Sequence, residues 1–271
     1  MMLSELHDRS YHFLNFLPNV ANFLVEKHKE SNLKVDEKSL YNLVTEADLK
    51  AESMILEEIQ KNFPLDGILS EERDPIAGTS GYTWVIDPLD GTTNYTHGLP
   101  LYGVSVGVVE TETMSPVIGM VFFPELGTYY HAIKGQGAFR EKKQIQVSQT
   151  KSMKDSLFVT GFPYDRNLSL DTLMQYYKSI LQKSRGIRRT GAATLDLCWL
   201  AEGKFEGYYE LGLKPWDMAA AGLIVLEANG KLTSMDGNDF SIMIPSLLAS
   251  NGYVHEYLLA EFEGQINRVV Y

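Results

Sequence analysis

Residues 84–94 read W-V-I-D-P-L-D-G-T-T-N: an apolar run, two aspartates three positions apart, then glycine, two threonines and asparagine. The run predicts a buried strand, and a buried strand that ends in two mutually repelling carboxylates constrains any fold that contains it. Such repulsion is tolerated when something positive, most often a metal ion, sits between the charges. Pro88 stiffens the turn, and Gly91 lets backbone amides approach a ligand closely. If a helix starts at Gly91, its first amides and the Thr92 hydroxyl form an anion site beside the cation site. That combination suits a phosphate ester bridging to a metal.

The rest of the chain narrows what the ion and the ligand are. None of the six histidines forms an H-x-x-x-H pair or adjoins the single cysteine, so a metal has to be held by oxygen. A net charge of −11 from 24 basic and 35 acidic residues argues against nucleic acid as the principal ligand. The lone cysteine, Cys198, lies between Leu197 and Trp199; it reads as a buried structural thiol and suits a reducing compartment. The apolar segment over 12–26 contains Asn15, Pro18, Asn19 and Asn22, and reads as neither signal peptide nor membrane span. A soluble, cytoplasmic protein is expected.

With 271 residues the chain is long enough for one core or two intimate lobes. Amphipathic spacing predicts a helix over the first thirty residues, interrupted or restarted near Pro18, and a second over 46–62. Thr45 and Asp48 in V-T-E-A-D have capping-box spacing, and taken alone they read as a helix cap. G-I-L-S-E-E-R predicts a strand ending in Ser70, Glu71 and Glu72, Y-T-W-V-I-D-P one ending in Asp87, and L-Y-G-V-S-V-G-V-V-E, S-P-V-I-G-M-V-F-F-P and G-T-Y-Y-H-A-I-K-G predict an antiparallel meander. G-Q-G-A-F predicts a tight turn into a further strand. The polar break after Ser148 divides the sequence into an N-terminal α+β lobe, 1–148, and a C-terminal α/β lobe, 149–271, within one compact unit. The second half predicts strands in S-L-F-V-T-G-F, F-E-G-Y-Y-E, K-L-T-S-M and S-L-L-A-S-N, alternating with helices over 168–183, 194–202 and 216–228 and one from 254. Such alternation implies a layered α/β arrangement.

Glu71, Asp87, Asp90 and Asp217 stand where apolar elements meet turns or helix starts. Magnesium takes hard oxygen ligands, so three or four carboxylates plus a phosphate complete one or two such ions. Two ions clamp the attacking and leaving oxygens of a phosphoryl transfer. A competing reading is the haloacid-dehalogenase nucleophile motif, D-x-D-G-T. Here the spacing is D-x-x-D-G-T, one residue longer, so both aspartates would not point as that mechanism needs.

W-V-I-D-P-L-D-G-T-T-N-Y and K-P-W-D-M-A-A-A-G together resemble the two signatures of the inositol monophosphatase family, the magnesium-dependent, lithium-sensitive sugar phosphatases. V-T-E-A-D, S-E-E, G-A-A-T-L-D-L and Y-Y-E resemble its lesser blocks, in family order from about 38 to 230. The resemblance implies a layered α-β-α-β-α fold of the inositol monophosphatase and fructose-1,6-bisphosphatase type, commonly dimeric, with two or three Mg2+ per site. Glu71, Asp87 and the Leu89 carbonyl would hold one ion, Asp87, Asp90 and Asp217 another, and Glu71 a weaker third. Thr92 with Asp48 would activate the attacking water, with Glu71 beside them, while the amides of Gly91 and Thr92 hold phosphate. Asp90, Gly191, Ala192 and Glu210 would face the alcohol, and Lys38 or Lys34 would lie near the third ion. The implied substrate is inositol monophosphate or a related polyol or nucleotide phosphate such as NADP(H), fructose 1,6-bisphosphate or 3′-phosphoadenosine phosphate. A non-catalytic, partner-binding role on the same fold is the alternative from another class. Ser70, Ala192 and the Lys214–Pro215 pair depart from the family pattern, the last two at the leaving-group side.

Overall fold

The computed structural model describes residues 2–29, 35–39, 42–163 and 170–262. Helix α1, Met2–His28, buries Leu6, Phe13, Leu17, Val20 and Leu24 along one stripe. The expected break at Pro18 does not occur. Pro18 is exposed, on the face opposite the stripe, where solvent can reach the carbonyl that its missing N–H leaves without a partner. An interior proline costs about 3 kcal/mol, whereas each fully buried Phe or Leu returns roughly 1.5–3 kcal/mol, so the stripe outweighs the kink. Among the described residues no helix is long and apolar enough to cross a membrane.

Strands β1, Val35–Ser39, and β2, Asn42–Thr45, form an antiparallel hairpin that leads into α2, Glu46–Asn62. Thr45 and Asp48 form the capping box expected of them. The next strands are β3, Gly67–Ser70, and β4, Tyr82–Asp90; then, after the short helix α3, Thr92–Thr96, β5, Gly103–Glu110, and β6, Ser115–Phe123. The meander continues through β7, Thr128–Ile133, β8, Ala138–Arg140, and β9, Lys143–Ile145. These seven strands make one sheet in sequence order, β3 parallel to β4 and the remainder antiparallel.

The second half supplies β10, Leu157–Thr160, α4, Leu170–Lys183, β11, Gly186–Arg188, and α5, Ala193–Ala201. It continues with β12, Gly207–Leu211, α6, Pro215–Glu227, β13, Lys231–Thr233, β14, Ser246–Ser250, and α7, His255–Phe262. Its five strands pair in the order β11-β10-β12-β14-β13. The strand alternation assigns the layers. Trp84, Ile86, Val104, Val106 and Val108 point into the cluster with α1 and α2, whereas Val85, Val109 and Val121 point into the cluster holding Cys198, Leu200, Ala219 and Ile224 of α5 and α6. That second cluster also takes Val159, Tyr208 and Leu247 from the five-stranded sheet, whose other face meets α4 and α7. The five layers are α1/α2, seven strands, α5/α6, five strands and α4/α7, the α-β-α-β-α order expected. The hairpin β1–β2, the edge strands β9 and β11 and the shortness of α3 are features that the sequence pattern does not announce.

Two glycines set how close the middle helices lie. Gly107 and Gly119 are direct partners across β5 and β6. A Cβ on Gly119 would stand 2.3 Å from the Ala220 carbonyl oxygen, and one on Gly107 would stand 3.0 Å from the Ala219 Cβ. The backbone of α6 therefore rests on the sheet where no side chain fits. Gly119→Ala should cost about 1–3 kcal/mol by overpacking, read as a lower urea midpoint at unchanged slope; an unchanged midpoint would show that the contact is not tight.

A pH dependence follows from His255, fully buried at the start of α7. Its Nε2 lies 2.9 Å from the Thr233 hydroxyl and its Nδ1 2.8 Å from that of Ser250. Burial first, then the Lys231 charge, lowers its pKa from 6.5 to about 4. The folded pKa is below the unfolded one, so the neutral ring contributes stability that is complete above about pH 6.5 and lost as pH falls toward 4. The wild type should lose up to about 3 kcal/mol over that window. His255→Asn should lack this component, so that the stability gap between the two proteins narrows from pH 7.5 to 4.5; a constant gap would contradict the assignment.

Candidate active site

Asp48 is buried at the third position of α2, and both of its oxygens are engaged. Oδ2 accepts from the Thr45 amide at 2.8 Å and the Thr45 hydroxyl at 2.5 Å. Oδ1 accepts from the Thr92 hydroxyl at 3.1 Å, forty-four residues downstream. The cap and the candidate catalytic contact therefore use different oxygens of one carboxylate. Burial raises the Asp48 pKa most, the Thr45 and Thr92 hydrogen bonds pull it down, and the Glu71 charge adds to the rise. The Thr92 hydroxyl lies equally 3.1 Å from the Leu89 carbonyl oxygen.

Strand β4 does not stop at Asp87. Asp87 pairs with Ser105 and Asp90 with Gly103, so three steps on β4 oppose two on β5. Residues three apart in a regular strand face opposite ways, and one bulged residue restores them to the same side. The added residue that separates this motif from D-x-D-G-T is thus accommodated by the bulge, with both aspartates on one side. Asp87 is 2% exposed and accepts the Leu89 amide at 3.0 Å. Burial, then the charges of Glu71, Asp90 and Asp217, push its pKa well above the ordinary value. Glu71 follows β3 directly and donates its amide to the Ile86 carbonyl at 3.2 Å, which places it beside Asp87.

Asp90 is clamped from α5 in the middle helix layer. Its Oδ2 accepts the Thr194 amide at 2.8 Å and a short bond from the Thr194 hydroxyl. Its pKa stands at about 6, raised by burial, lowered by the Thr194 bonds and raised again by Glu71. Asp217 occupies the first turn of α6, where its Oδ2 accepts the Lys214 amide at 2.7 Å. Burial, then Asp90, Glu71 and Glu210, push its pKa well up. Glu71, Asp87, Asp90 and Asp217, from three separate segments, are thus one electrostatic set.

Among the described residues no three acidic, histidine or cysteine side chains form a ready-made metal cage. The fit to a cation rests instead on the donor set. It consists of hard carboxylate oxygens, with the Leu89 carbonyl nearby, and the neighbouring charges raise the proton affinity of Asp87, Asp90 and Asp217. Such a set takes up either protons or an oxygen-seeking cation.

Asp90 and Asp217 also line a pocket together with Gly191, Ala192 and Glu210, all three called as substrate-side residues. Gly91 and Thr92 do not line it, although a Cβ on Gly91 would stand 3.3 Å from the Ala192 Cβ and 2.8 Å from the Leu101 carbonyl. Gly91 has φ +89 and caps α3, which begins at Thr92, one residue later than expected. Glu71 opens instead onto a separate depression with Glu72, Arg73 and Asp74. The Glu210 carboxylate lies against Gly161, where any Cβ would come within 2.2 Å of it, and accepts the Tyr208 hydroxyl at 2.5 Å. Burial raises Glu210 to about 7. Lys34 lies outside the described residues; Lys38 falls in β1, but its side chain lies outside the description.

Sequence reasoning missed three groups. Asp196, buried on α5, accepts the Thr190 hydroxyl at 2.6 Å and lines the pocket; burial pushes its pKa well up. Arg189, exposed at the mouth, lowers the pKa of both Asp196 and Glu210. Thr194 holds Asp90. The available signal was an aspartate inside the apolar helix A-T-L-D-L-C-W-L-A, whose neighbours are nearly all buried.

The inositol monophosphatase family profile matches residues 16–267. The chain is 44% identical over 227 residues to the chloroplastic phosphatase IMPL1 of Arabidopsis thaliana, an alignment covering 82% of this chain and 61% of that protein. It is 40% identical over 218 residues to the inositol-1-monophosphatase of Synechocystis, covering 80% and 75%. The crystal structure of the extragenic suppressor protein suhB from Bartonella henselae superimposes with a TM-score of 0.88 at 30% identity, over 98% of this chain and 100% of that one. Signatures, layers and profile agree, and the chain belongs to the inositol monophosphatase family.

Proposed function

We propose that the chain hydrolyses a small phosphate monoester, inositol monophosphate in the first place, with Mg2+ ions held by Glu71, Asp87, the Leu89 carbonyl, Asp90 and Asp217. The observation that carries this reading is the convergence of the Glu71, Asp87, Asp90 and Asp217 charges, delivered from the ends of β3 and β4 in the seven-stranded sheet and from α6 in the middle helix layer. When bound, Mg2+ neutralises charge on the phosphoryl oxygens and acidifies water.

The chain's own residues do the rest. Asp48 is fixed by Thr45 and accepts the Thr92 proton, so the Thr92 oxygen keeps lone pairs free to accept from the attacking water. That orients the water for in-line displacement, and no protein nucleophile is required. Gly91, without a Cβ, lets the turn close on Leu101 and presents the amides of Gly91 and Thr92 to the phosphate. On the leaving-group side, Glu210 and Asp90 offer carboxylates to the hydroxyls of a polyol, and the backbone at Gly191 and Ala192 shapes the wall.

Asp217→Asn removes one ligand charge without removing the side chain. Loss of several kcal/mol of transition-state stabilisation corresponds to a fall in kcat of roughly 100-fold or more. Retention of near-normal kcat at saturating Mg2+ would defeat the assignment.

Substrate class is read from phosphate release with and without Mg2+ across inositol 1-phosphate, 2′-AMP, NADP, fructose 1,6-bisphosphate and 3′-phosphoadenosine phosphate. The expected result is Mg2+-dependent release led by inositol 1-phosphate. Glu210→Gln should change the ratio of kcat/KM between inositol 1-phosphate and the nucleotides more than it changes kcat. Preference for another compound would relocate the substrate class, and release from none by folded protein would favour the partner-binding role.

A further inference from the structure

Glu52 is a carboxylate on α2 with no solvent exposure. Such a group is almost never fully buried unless paired, and its partners all lie on the S-E-E-R segment. Oε1 accepts a short hydrogen bond from the Ser70 hydroxyl and a 3.0 Å bond from the Glu72 amide. Oε2 lies 3.0 Å from Arg73 Nε, an ion pair whose outer partner is half-exposed. Arg73 is tied to α2 a second time, its Nη2 donating to the Ser53 hydroxyl at 2.6 Å, which in turn donates to the Leu49 carbonyl. Residues 73–77 are all exposed, so little apolar burial anchors this segment, which returns to β3 through the paired backbone bonds of Ile76 with Ile68.

Helix α2 thus grips residues 70, 72 and 73, on both sides of Glu71. Ser70 closes β3 and Glu71 opens the bend that follows, its amide held by the Ile86 carbonyl and its charge felt by Asp48, Asp87, Asp90 and Asp217. Stability alone does not call for this arrangement, because buried ion pairs can often be replaced by apolar residues without loss. We propose that Glu52 is a positioning residue that aims Glu71 into the acid cluster, with Ser70 and Arg73 as the hooks through which it acts. The inference rests on the reading of Glu71 as a cation ligand. It also gives Ser70, which stands where the family often has glycine, a role of its own as the donor that a glycine lacks.

The test compares Glu52→Gln, Arg73→Gln, Glu71→Gln and the Glu52→Gln/Glu71→Gln double variant. The readouts are Mn2+ binding to metal-stripped protein by electron paramagnetic resonance, half-saturating Mg2+ for activity, and amide exchange at Glu72. Glu52→Gln should weaken Mn2+ binding and raise half-saturating Mg2+ by roughly 10-fold, speed exchange at Glu72, and add nothing further in the Glu71→Gln background. Additive losses in the double variant, or a lowered melting temperature with unchanged Mn2+ affinity, would overturn the proposal and leave Glu52 a structural residue. If Glu71→Gln alone leaves Mn2+ binding unchanged, the ligand reading of Glu71 fails and takes this inference with it; if Glu71→Gln weakens binding and Glu52→Gln does not, the positioning claim alone fails. Should Glu52→Gln not fold, Arg73→Gln, changed at a half-exposed side chain, decides between the same outcomes.

Discussion

The contact on which the rest of the structure depends is the seat of α6 on the Gly107–Gly119 pair. A helix cannot approach a sheet this closely through ordinary side chains, because a single Cβ on Gly119 would occupy the Ala220 carbonyl. With both glycines in place, the run A-A-A-G of α6 lies on the inner face of β5 and β6, and its first turn comes level with the end of β4. Asp217 belongs to that first turn and Asp87 to that strand end, so the depth of a backbone contact decides how near two acids stand. Packing and chemistry are linked here through the helix axis.

The second constraint is electrostatic. Burial raises the pKa of each of the four anionic centres around β4 for which a shift is seen, namely Asp48, Asp87, Asp90 and Asp217, and each feels the Glu71 charge as a further rise. A fold built for stability alone would not assemble such a group, since like charges brought together out of water oppose folding. The hydrogen bonds that the chain provides are few and directed: Thr45 and Thr92 on Asp48, the Leu89 amide on Asp87, Thr194 on Asp90 and the Lys214 amide on Asp217. They fix the orientation of each carboxylate and leave the summed negative charge for a cation to balance.

Much of this was legible in the sequence because the informative signals are local. The meander, α2 with its cap and the alternation of strands and helices after Leu157 follow from periodicity over a few residues. So do the positions of the four acids, each where an apolar element meets a turn or a helix start. What sequence concealed depends on contacts between distant segments. Pro18 reads as a helix break, since the burial that overrides it comes from packing against α2 and the sheet. The D-x-x-D spacing places both acids but not the bulge that turns them to one side, which is defined only by the register with β5. Thr194, Asp196 and Arg189 were missed for the same reason: their significance lies in Asp90 and Glu210, which reach them from other strands.

The central claim is that the acids form one oxygen-donor site for divalent cations. Its most direct test is anomalous diffraction from crystals of the protein soaked in Mn2+. The account predicts anomalous peaks within coordination distance of Asp87, one shared with Asp90 and Asp217 and one shared with Glu71 and the Leu89 carbonyl. An ordered cluster with no peak near Asp87, or manganese found only at unrelated surface acids, would contradict it.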